Sequence, residues 1–355
     1  MSKRTRRKRA GAIVGMIIAI IVLLGIAAVL FVQGRMGQVK RETTVSQVVP
    51  RSEQTFEVEE VPENEEPKPD TIAPEEIKWE KAEIVTPAPE KIEEIRNILL
   101  IGQDARVGQG RQRSDTMVIF SINEKTNKIT MCSLMRDMYV PIPGYDDNRI
   151  NAAYAFGGMP LLDQVIEEDF GVHIDGNIEV DLDGFLKSMS AIGPLDIVLT
   201  QEEADYLNAN PGIGSNNDSV SSYGWELTEG MNSLTPEQAL AYSRVRYIGH
   251  ADYERTERQR RVLTTAFNKV ITSDLKTLIS LSDDLLPNFT TDMSQPEILD
   301  YIKTVKTNNM TLNETTYRLP VDGTYSSEYV RGMAVLVPDL AENSRYLHEY
   351  LYGEA

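Results

Sequence analysis

The sequence predicts an α/β protein with three layers, in which helices cover both faces of a central sheet. Short apolar runs rich in β-branched residues recur from residue 95 onward, namely NILLIG, TMVIFSIN, KITMCSL and LDIVLT. Such runs are typical of strands that are covered on both faces. Helical patterns lie between and after these runs, at residues 159–170, 183–192 and 236–242. Because strands alternate with helices, we expect a layered α/β/α domain.

The N-terminus has the pattern of a membrane anchor. Six basic side chains occupy the first nine residues, and the 21 residues from Ala12 to Val32 carry no charge. At about 1.5 Å per residue, a helix of this length matches the hydrocarbon core of a bilayer, so residues 12–33 are predicted to form one transmembrane helix. Basic residues favour the cytoplasmic side, which places the tail 1–11 in the cytoplasm and the rest of the chain outside the cell. The alternative is a cleavable signal peptide, whose apolar region is usually only about 7–15 residues long.

Residues 34–94 are predicted to form an acidic, disordered extracellular linker. From about Ser52 to Glu94 the chain is crowded with Glu and Pro and has few large apolar groups. Like charges repel and prolines remove backbone donors, so the segment is expected to bury too little surface to offset the entropy of ordering it.

The formal net charge of the 355-residue chain is −18, which argues against a general nucleic-acid binder.

The folded part is predicted to divide into a main domain at 95–275 and a C-terminal α/β extension at 276–355 that packs on it. A long helix is expected to begin near Asp252, in the stretch DYERTERQRRVLTTAFNKVI.

The single cysteine, Cys132, lies in an apolar run and is expected to be buried in a strand. The three histidines are widely separated, which excludes a zinc cluster built from them.

Arginine is concentrated in the middle of the chain. Between Asn97 and Arg261, arginines outnumber lysines eleven to three. If these charges served only surface solubility, lysine would do equally well. A guanidinium, in contrast, binds phosphate oxygens bidentately and always keeps its charge. The arginines fall at the ends of apolar elements, and ligands of open α/β sheets bind where strands end. We therefore expect one phosphate-binding crevice where several clumps meet: Arg106, Arg111 and Arg113; Arg136 and Arg149; Arg244 and Arg246; and Arg255, Arg258, Arg260 and Arg261.

Two aspartates accompany the first clump. Asp104 and Asp115 would repel an anion unless a divalent cation joined them to its oxygens. Mg²⁺ (or Mn²⁺) suits this role, because such hard cations bind one or two carboxylates together with phosphates and water. The inferred ligand is thus a diphosphate with a metal held by these two aspartates. The alternative is two local ion pairs, Asp104 with Arg106 and Asp115 with Arg113.

The predicted long helix contributes donors to the same crevice. Arg255 and Arg258 are three residues apart, and Arg255 and Gln259 are four apart, so all three are expected on one face of the helix. The alternative is a solvated face on which the arginines pair with Glu254 and Glu257.

Several motifs, taken in order, resemble the LytR-CpsA-Psr family of mainly Gram-positive bacteria: GQDAR, RSDTM, LMRDMYV, RINAAYAFGG, VDLDGF, LTPEQALAYSRVR and DYERTERQRR. The resemblance implies an α/β/α catalytic domain with a mixed central sheet that binds a polyprenyl-pyrophosphate-linked glycan. Members of the family transfer the phospho-sugar end of the glycopolymer, such as teichoic acid or capsule, to a peptidoglycan hydroxyl and release polyprenyl phosphate. A cell-wall phosphotransferase at the cell membrane is therefore expected.

The resemblance also implies roles for single residues. Asp104 and Asp115 match the metal ligands, and Asp252 matches the aspartate that deprotonates the acceptor hydroxyl. Arg113 and Arg136 are expected to act in catalysis as well as in binding. The residues that match pyrophosphate contacts are Arg113, Arg136, Arg244, Arg246, Arg255 and Gln259, to which the arginine clumps add Arg106, Arg149 and Arg258.

A lipid carrier also needs an apolar cavity. Residues 152–170 and the GFLKSMSAI helix offer apolar faces, although such faces are more often ordinary core. A cavity of this kind is expected to run from the arginine crevice between helices and sheet.

Two other functions stay open: a non-catalytic protein that binds lipid pyrophosphates or wall polymers, and a membrane-bound envelope regulator. A transcriptional role is disfavoured, because the predicted cytoplasmic tail is short and has no DNA-binding motif.

Overall fold

A computed structural model describes residues 40–41, 48–58, 68–79, 94–103, 111–210, 225–245, 248, 252–271, 288–313 and 315–353. The predicted cytoplasmic tail and transmembrane helix, at 1–11 and 12–33, lie outside these ranges. Among the residues in these ranges, no helix is both long enough and apolar enough to cross a membrane.

The elements are numbered in chain order. The strands are β1 (Lys40–Arg41), β2 (Ile95–Gln103), β3 (Ser114–Asn123), β4 (Lys128–Leu134), β5 (Tyr139–Val140), β6 (Asn148–Arg149), β7 (Gly176–Asp181), β8 (Leu195–Leu199), β9 (Gly230–Leu234), β10 (Thr290–Thr291), β11 (Thr311–Leu312), β12 (Tyr317–Leu319), β13 (Tyr325–Val330) and β14 (Met333–Pro338). The helices are α1 (Asn151–Phe170), α2 (Leu182–Ile192), α3 (Gln201–Ala209), α4 (Pro236–Arg244), α5 (Asp252–Ile271), α6 (Gln295–Thr307) and α7 (Leu340–Tyr352). Single 3₁₀ turns lie at Arg51–Glu53 and Pro74–Glu76.

The central sheet is mixed. Its order is β1-β10-β7-β2-β3-β4-β11, and β12 also pairs with β4. Strand β2 runs antiparallel to β3 and parallel to β7, and β4 runs antiparallel to β3 and parallel to β11 and β12. The α/β fold with a mixed central sheet that the sequence and its family resemblance predict is therefore confirmed.

Alternating side chains of the sheet point into two separate apolar layers. On β2, Leu99 packs in a core that includes Phe156 of α1 and Leu347 of α7. Its neighbour Ile98 belongs to a different cluster, which includes Tyr301 of α6. Because successive side chains of a strand point to opposite faces, helices cover both sides of the sheet.

The C-terminal residues complete this sheet on both sides. Strand β10 lies beside β7, and strands β11 and β12 lie beside β4 at the other side. Helix α7 buries Leu340, Leu347 and Leu351 in the same core as α1. The sequence places these residues in a C-terminal extension that packs on the main domain; in the structure they are part of its sheet and core.

The expectation of a disordered linker at 34–94 needs correction for residues 48–58 and 68–79. The Val49 amide donates a 2.8 Å hydrogen bond to the Phe156 carbonyl. Trp79 stacks on Tyr139, with ring centroids 6.2 Å apart, and its indole donates to Asp147 at 2.7 Å. Composition shows that the segment cannot form a core of its own, but its few large apolar side chains are ordered because they pack on the core of the main domain.

Candidate functional site

Four strands end at one edge of the sheet, and charged side chains lie at their ends. The pairing of Gln103 with Asp181 places the carboxyl ends of β2 and β7 side by side. The amino end of antiparallel β3 lies beside them, with Arg113 just before it, and Arg136 follows the adjacent end of β4. The predicted convergence of arginine clumps thus has a direct cause in strand order.

A cavity of about 1190 Å³ opens at this edge. Its wall combines residues from the strand ends, from α2, α4 and α5, and from residues 55–58, here called the strap. The lining residues are Thr55, Phe56, Glu57, Val58, Leu100, Gly102, Gln103, Gln112, Arg113, Asp115, Thr116, Arg136, Arg149, Val180, Asp181, Phe185, Leu240, Ser243, Arg244, Arg255, Gln259, Val262 and Leu263.

The lining has more positive than negative charges. Among these residues are five arginines and three carboxylates, Glu57, Asp115 and Asp181. One of the three has a structural partner, because Oδ1 of Asp181 caps α2 by accepting a hydrogen bond from the Gly184 amide at 2.7 Å. A concave surface with this excess of positive charge favours an anionic ligand.

Arg113 lies in this wall at the amino end of β3. Its Nη2 donates to the Thr55 carbonyl at 2.9 Å, its Nη1 donates to Asn151 Oδ1 at 3.3 Å, and its guanidinium lies over the Phe156 ring. Burial lowers the pKa of Arg113, and the nearby carboxylate of Glu57 opposes this effect only in part. A bound phosphate would supply the missing negative charge, since an adjacent anion favours the charged form of an arginine.

Arg136 and Asp115 form an ion pair at the same edge. Nη1 of Arg136 lies 2.8 Å from Oδ1 of Asp115, and their side chains are 13% and 32% exposed. Arg136 also approaches Asp137, at 3.5 Å from its Nε. The pair joins the ends of β3 and β4, and Asp115 keeps an exposed part on the cavity.

Arg149 lies deeper and is held on several sides. Its side chain is only 3% exposed. Nε donates to the Ala334 carbonyl at 3.1 Å and lies 3.4 Å from Asp137, while Nη1 lies 3.1 Å from Glu57 Oε2. Glu57 thus pairs with this arginine and also lines the cavity.

The remaining donors come from helices. Arg244 ends α4, and Arg255 and Gln259 lie one turn apart on α5 with both side chains on the cavity wall. Arg258 is not on this wall, which corrects the prediction that it shares the face of Arg255. Its guanidinium is 2% exposed and pairs with Glu203 at 2.9 Å and with Glu254 at 2.7 Å.

The reason for this correction is the position of α5. The helix lies between the cavity and a second apolar cluster formed by α3, α4 and β8. Side chains three residues apart are offset by about 60° around a helix, so Arg258 turns toward Glu203 of α3 while Arg255 faces the cavity. Its charge serves the helix packing.

Four predicted site residues remain predictions. Asp104, Arg106 and Arg246 lie outside the described residues. Asp252 begins α5, but its side chain is also outside what the structure describes. The predicted proximity of Asp104 to Asp115 and the position of the expected base are therefore open.

The residues of the cavity fit a metal ion that is coordinated mostly by phosphate oxygens and water and only in part by the protein. In the described part of the chain, no group of three or more His, Cys, Asp and Glu side chains is arranged to hold a metal ion. Asp115 is a partly exposed carboxylate of the cavity wall that lies beside Arg136. Mg²⁺ commonly binds through one or two carboxylates, with phosphate oxygens and water completing its shell, and Asp115 fits that donor set.

The same cavity also has apolar lining from the sheet and from helices. Leu100 and Val180 line it from the sheet, Phe185 from α2, Leu240 from α4, and Val262 and Leu263 from α5. Phe185 belongs to the GFLKSMSAI stretch in which the sequence suggests lipid contact. Residues 152–170 are different, because the apolar side chains of α1 are buried in the core on the opposite face of the sheet.

The strap is the part of the site that the sequence does not reveal. Thr55, Phe56, Glu57 and Val58 lie in a stretch whose composition predicts a disordered linker. Phe56 packs with the cluster around Val330 and Val335, and Arg331 lies 4.6 Å from the centre of its ring. The available signal is Phe56 itself, one of two aromatic residues, with Trp79, in the acidic stretch.

The fold and the cavity define a class, an α/β/α domain with one cavity lined by arginines and apolar side chains. The chain matches the LytR_cpsA_psr family over residues 63–348, and it belongs to that family. The expectation from its motifs is thereby confirmed.

Relatives of known name are similar over part of their length. The chain is 33% identical to "Polyisoprenyl-teichoic acid--peptidoglycan teichoic acid transferase TagU" of Enterococcus faecalis over 207 residues, which are 56% of this chain and 62% of that protein. It is 26% identical to "Biofilm regulatory protein A" of Streptococcus mutans, over 72% of this chain and 69% of that protein. A crystal structure of a Streptococcus agalactiae protein has the same fold, with a TM-score of 0.59 and 21% identity, over 74% of this chain and 89% of the other.

Proposed function

We propose that this protein is a phosphotransferase that moves a wall glycopolymer from a polyprenyl-pyrophosphate carrier to a peptidoglycan hydroxyl. The observation that carries the proposal is one cavity whose wall contains five arginines, from strand ends and helices, together with apolar side chains of the sheet and of α2, α4 and α5. A diphosphate fits the arginines and a polyprenyl chain fits the apolar side chains. The name of the Enterococcus relative, a teichoic acid transferase, supports teichoic acid as one class of polymer.

The proposed reaction replaces the phosphoanhydride bond of the carrier with a phosphodiester bond to the acceptor. The acceptor hydroxyl attacks the phosphorus atom that carries the sugar, a new P–O bond forms, and the bond to polyprenyl phosphate breaks. Arg113 and Arg136 neutralise the charge that grows on the departing polyprenyl phosphate. Arg149, Arg244 and Arg255 hold the remaining phosphate oxygens together with Gln259, and Arg106 and Arg246 are assigned to the same set from their motifs.

Asp252 is the proposed base that takes the proton of the acceptor hydroxyl. It lies at the first residue of α5, three residues before Arg255. A carboxylate close to the reacting phosphate is suited to general base catalysis when it lies within hydrogen-bond reach of the hydroxyl.

The proposed cofactor is Mg²⁺, or Mn²⁺, held by Asp115 and Asp104. The ion would neutralise charge on the phosphate oxygens. In this scheme Asp115 has two partners, because it also holds Arg136 in place. The enzyme is proposed to work at the outer face of the cell membrane, anchored by residues 12–33.

The proposal is tested by supplying the full-length protein with a short polyprenyl-pyrophosphate glycan, peptidoglycan oligomers and Mg²⁺. We expect polymer attached to peptidoglycan and release of polyprenyl phosphate, both lost in Arg113→Ala. Arg345→Ala is the matched control, because this arginine is 58% exposed on α7 and should leave transfer unchanged. Binding of the carrier without any transfer would instead support a non-catalytic binding protein.

A further inference from the structure

The strap inserts a carboxylate into the proposed phosphate site. Oε2 of Glu57 lies 3.1 Å from Nη1 of Arg149, and Glu57 lines the same cavity as Arg113 and Arg136. The two partners differ in exposure, with 3% for the Arg149 side chain and 43% for that of Glu57. A phosphate bound in this cavity would therefore share the arginines of the wall with this carboxylate.

The carboxylate acts on a second arginine as well. Glu57 is the strongest of the charges that favour the protonated form of Arg113. Arg113 also donates to the carbonyl of Thr55, two residues earlier in the strap. Glu57 thus supplies to both arginines part of the negative charge that a phosphate group would supply.

Other contacts hold the strap in place. The Thr55 carbonyl also accepts a hydrogen bond from Asn148 Nδ2 at 3.1 Å. The Phe56 ring packs under Arg331. Val58 lies so close to Gly332 that a Cβ at this glycine would come within 2.9 Å of Val58 Cγ1. Neutralising Glu57 therefore removes a charge without removing the contacts that position the strap.

We propose that Glu57 is an internal counter-anion of the arginine cluster, which a phosphate ligand must displace from Arg149. The inference rests on the proposed function and adds to it a residue that sets the affinity for the diphosphate. It predicts that neutralising Glu57 raises the affinity for the diphosphate, whereas changing a residue that lines a binding site usually lowers affinity. The effect is modest, since an ion pair with a partly exposed carboxylate is screened by water and salt.

The test is calorimetric titration of the full-length protein with inorganic pyrophosphate. Glu57→Gln is expected to bind about two- to fivefold more tightly than the unchanged protein, and this gain should shrink as salt is added. Glu53→Gln is the matched control, because Glu53 is an exposed neighbour of equal charge that lies outside the cavity. It should bind as the unchanged protein does.

The outcomes separate this inference from the proposed function. Equal or weaker binding by Glu57→Gln overturns the inference, and so does a gain of equal size in Glu53→Gln, which would point to net charge alone. If Arg113→Ala weakens pyrophosphate binding while Glu57→Gln does not strengthen it, the proposed site stands and Glu57 has no such role. If neither variant changes binding, the proposed site falls as well.

Discussion

The chemistry of the site depends on single guanidinium groups and on what stands beside each of them. Arg113 precedes β3, Arg136 follows β4 and Arg149 ends β6, yet each has a defined carboxylate or carbonyl partner at the cavity edge. All three side chains line the cavity. A planar guanidinium is suited to this double use, because one edge can bind protein while another binds phosphate.

Arg136→Lys should separate charge from geometry. Lysine keeps the positive charge but loses the fork that reaches Asp115 and the cavity together, so we expect pyrophosphate affinity to fall by about tenfold. Calorimetric titration with inorganic pyrophosphate measures the change. Arg345→Lys, on the exposed face of α7, is the matched control. Unchanged affinity in Arg136→Lys would show that this arginine contributes charge alone or nothing.

Cys132 should be chemically inert in the folded protein. The thiol is fully buried on β4, as the apolar run around it predicts, and burial raises its pKa to about 12. Because the thiolate is the reactive form, Ellman's reagent at about pH 8 should label the protein only after denaturant is added. Rapid labelling without denaturant would contradict this placement.

At the scale of elements, helix α5 connects the site to the packing around it. One face carries Arg255 and Gln259 to the cavity, and the other places Arg258 in a buried pair with Glu203. Glu203 also closes the capping box of α3 with Thr200. One helix thus explains why some of the arginines clustered in the sequence face the cavity and others stabilise the fold.

Glu203→Ala should therefore destabilise the protein strongly. The variant removes the 2.9 Å pair with Glu203 and leaves the buried Arg258 with Glu254 as a carboxylate partner. Breaking a buried pair costs up to about 3–5 kcal/mol of unfolding free energy. Urea denaturation measures the loss. Glu257→Ala is the control, because Glu257 makes an exposed pair with Arg261 that is worth about 0.5 kcal/mol. Similar losses in the two variants would argue against a structural role for the buried pair.

The elements differ in how far the sequence predicts them. Apolar runs identified β2, β3 and β4 correctly, because a strand covered on both faces leaves a continuous apolar pattern. The run LDIVLT also forms a strand, but β8 is not in the central sheet: it pairs with β9 in a separate two-stranded sheet and exposes Asp196 and Val198 on one face. Arginine at strand ends likewise pointed to Arg113 and Arg136. The sequence could not place Arg258, since which face of a helix meets which neighbour is decided by tertiary packing. The strap was missed because composition describes a segment alone, without the surface on which it packs.

At the scale of the whole molecule, segments far apart in sequence are needed to build one site and one core. The strap at 55–58, the strand ends between 100 and 136, and helix α5 all line the cavity. Strands from residues 290–319 extend the sheet on both sides. Residues on both sides of the boundary expected at residue 275 therefore build one core, because α7 packs in the same core as α1.

The whole molecule should lose stability at alkaline pH. Burial raises the pKa of Tyr139, Tyr301 and Tyr352 to about 12, above their ordinary value of 10.0. The folded state therefore favours the neutral phenols; their contribution is complete below about pH 10 and is lost as the pH rises toward about 12.

Urea midpoints at about pH 8 and about pH 11 measure this loss. The Tyr352→Phe variant, which has no phenol to ionise at that position, should show a smaller drop between the two pH values than the unchanged protein. Equal drops in the two proteins would show that Tyr352 does not contribute to the pH dependence.

The central claim is that one cavity holds a diphosphate among guanidinium groups that come from separate parts of the chain. A crystal structure of the protein with a short polyprenyl diphosphate and Mg²⁺ tests this most directly. In that structure we expect the diphosphate to contact Arg113, Arg136 and Arg255, and the lipid to lie between the sheet and helices α2, α4 and α5. A diphosphate bound elsewhere, with these three arginines making no contact to it, would contradict the claim.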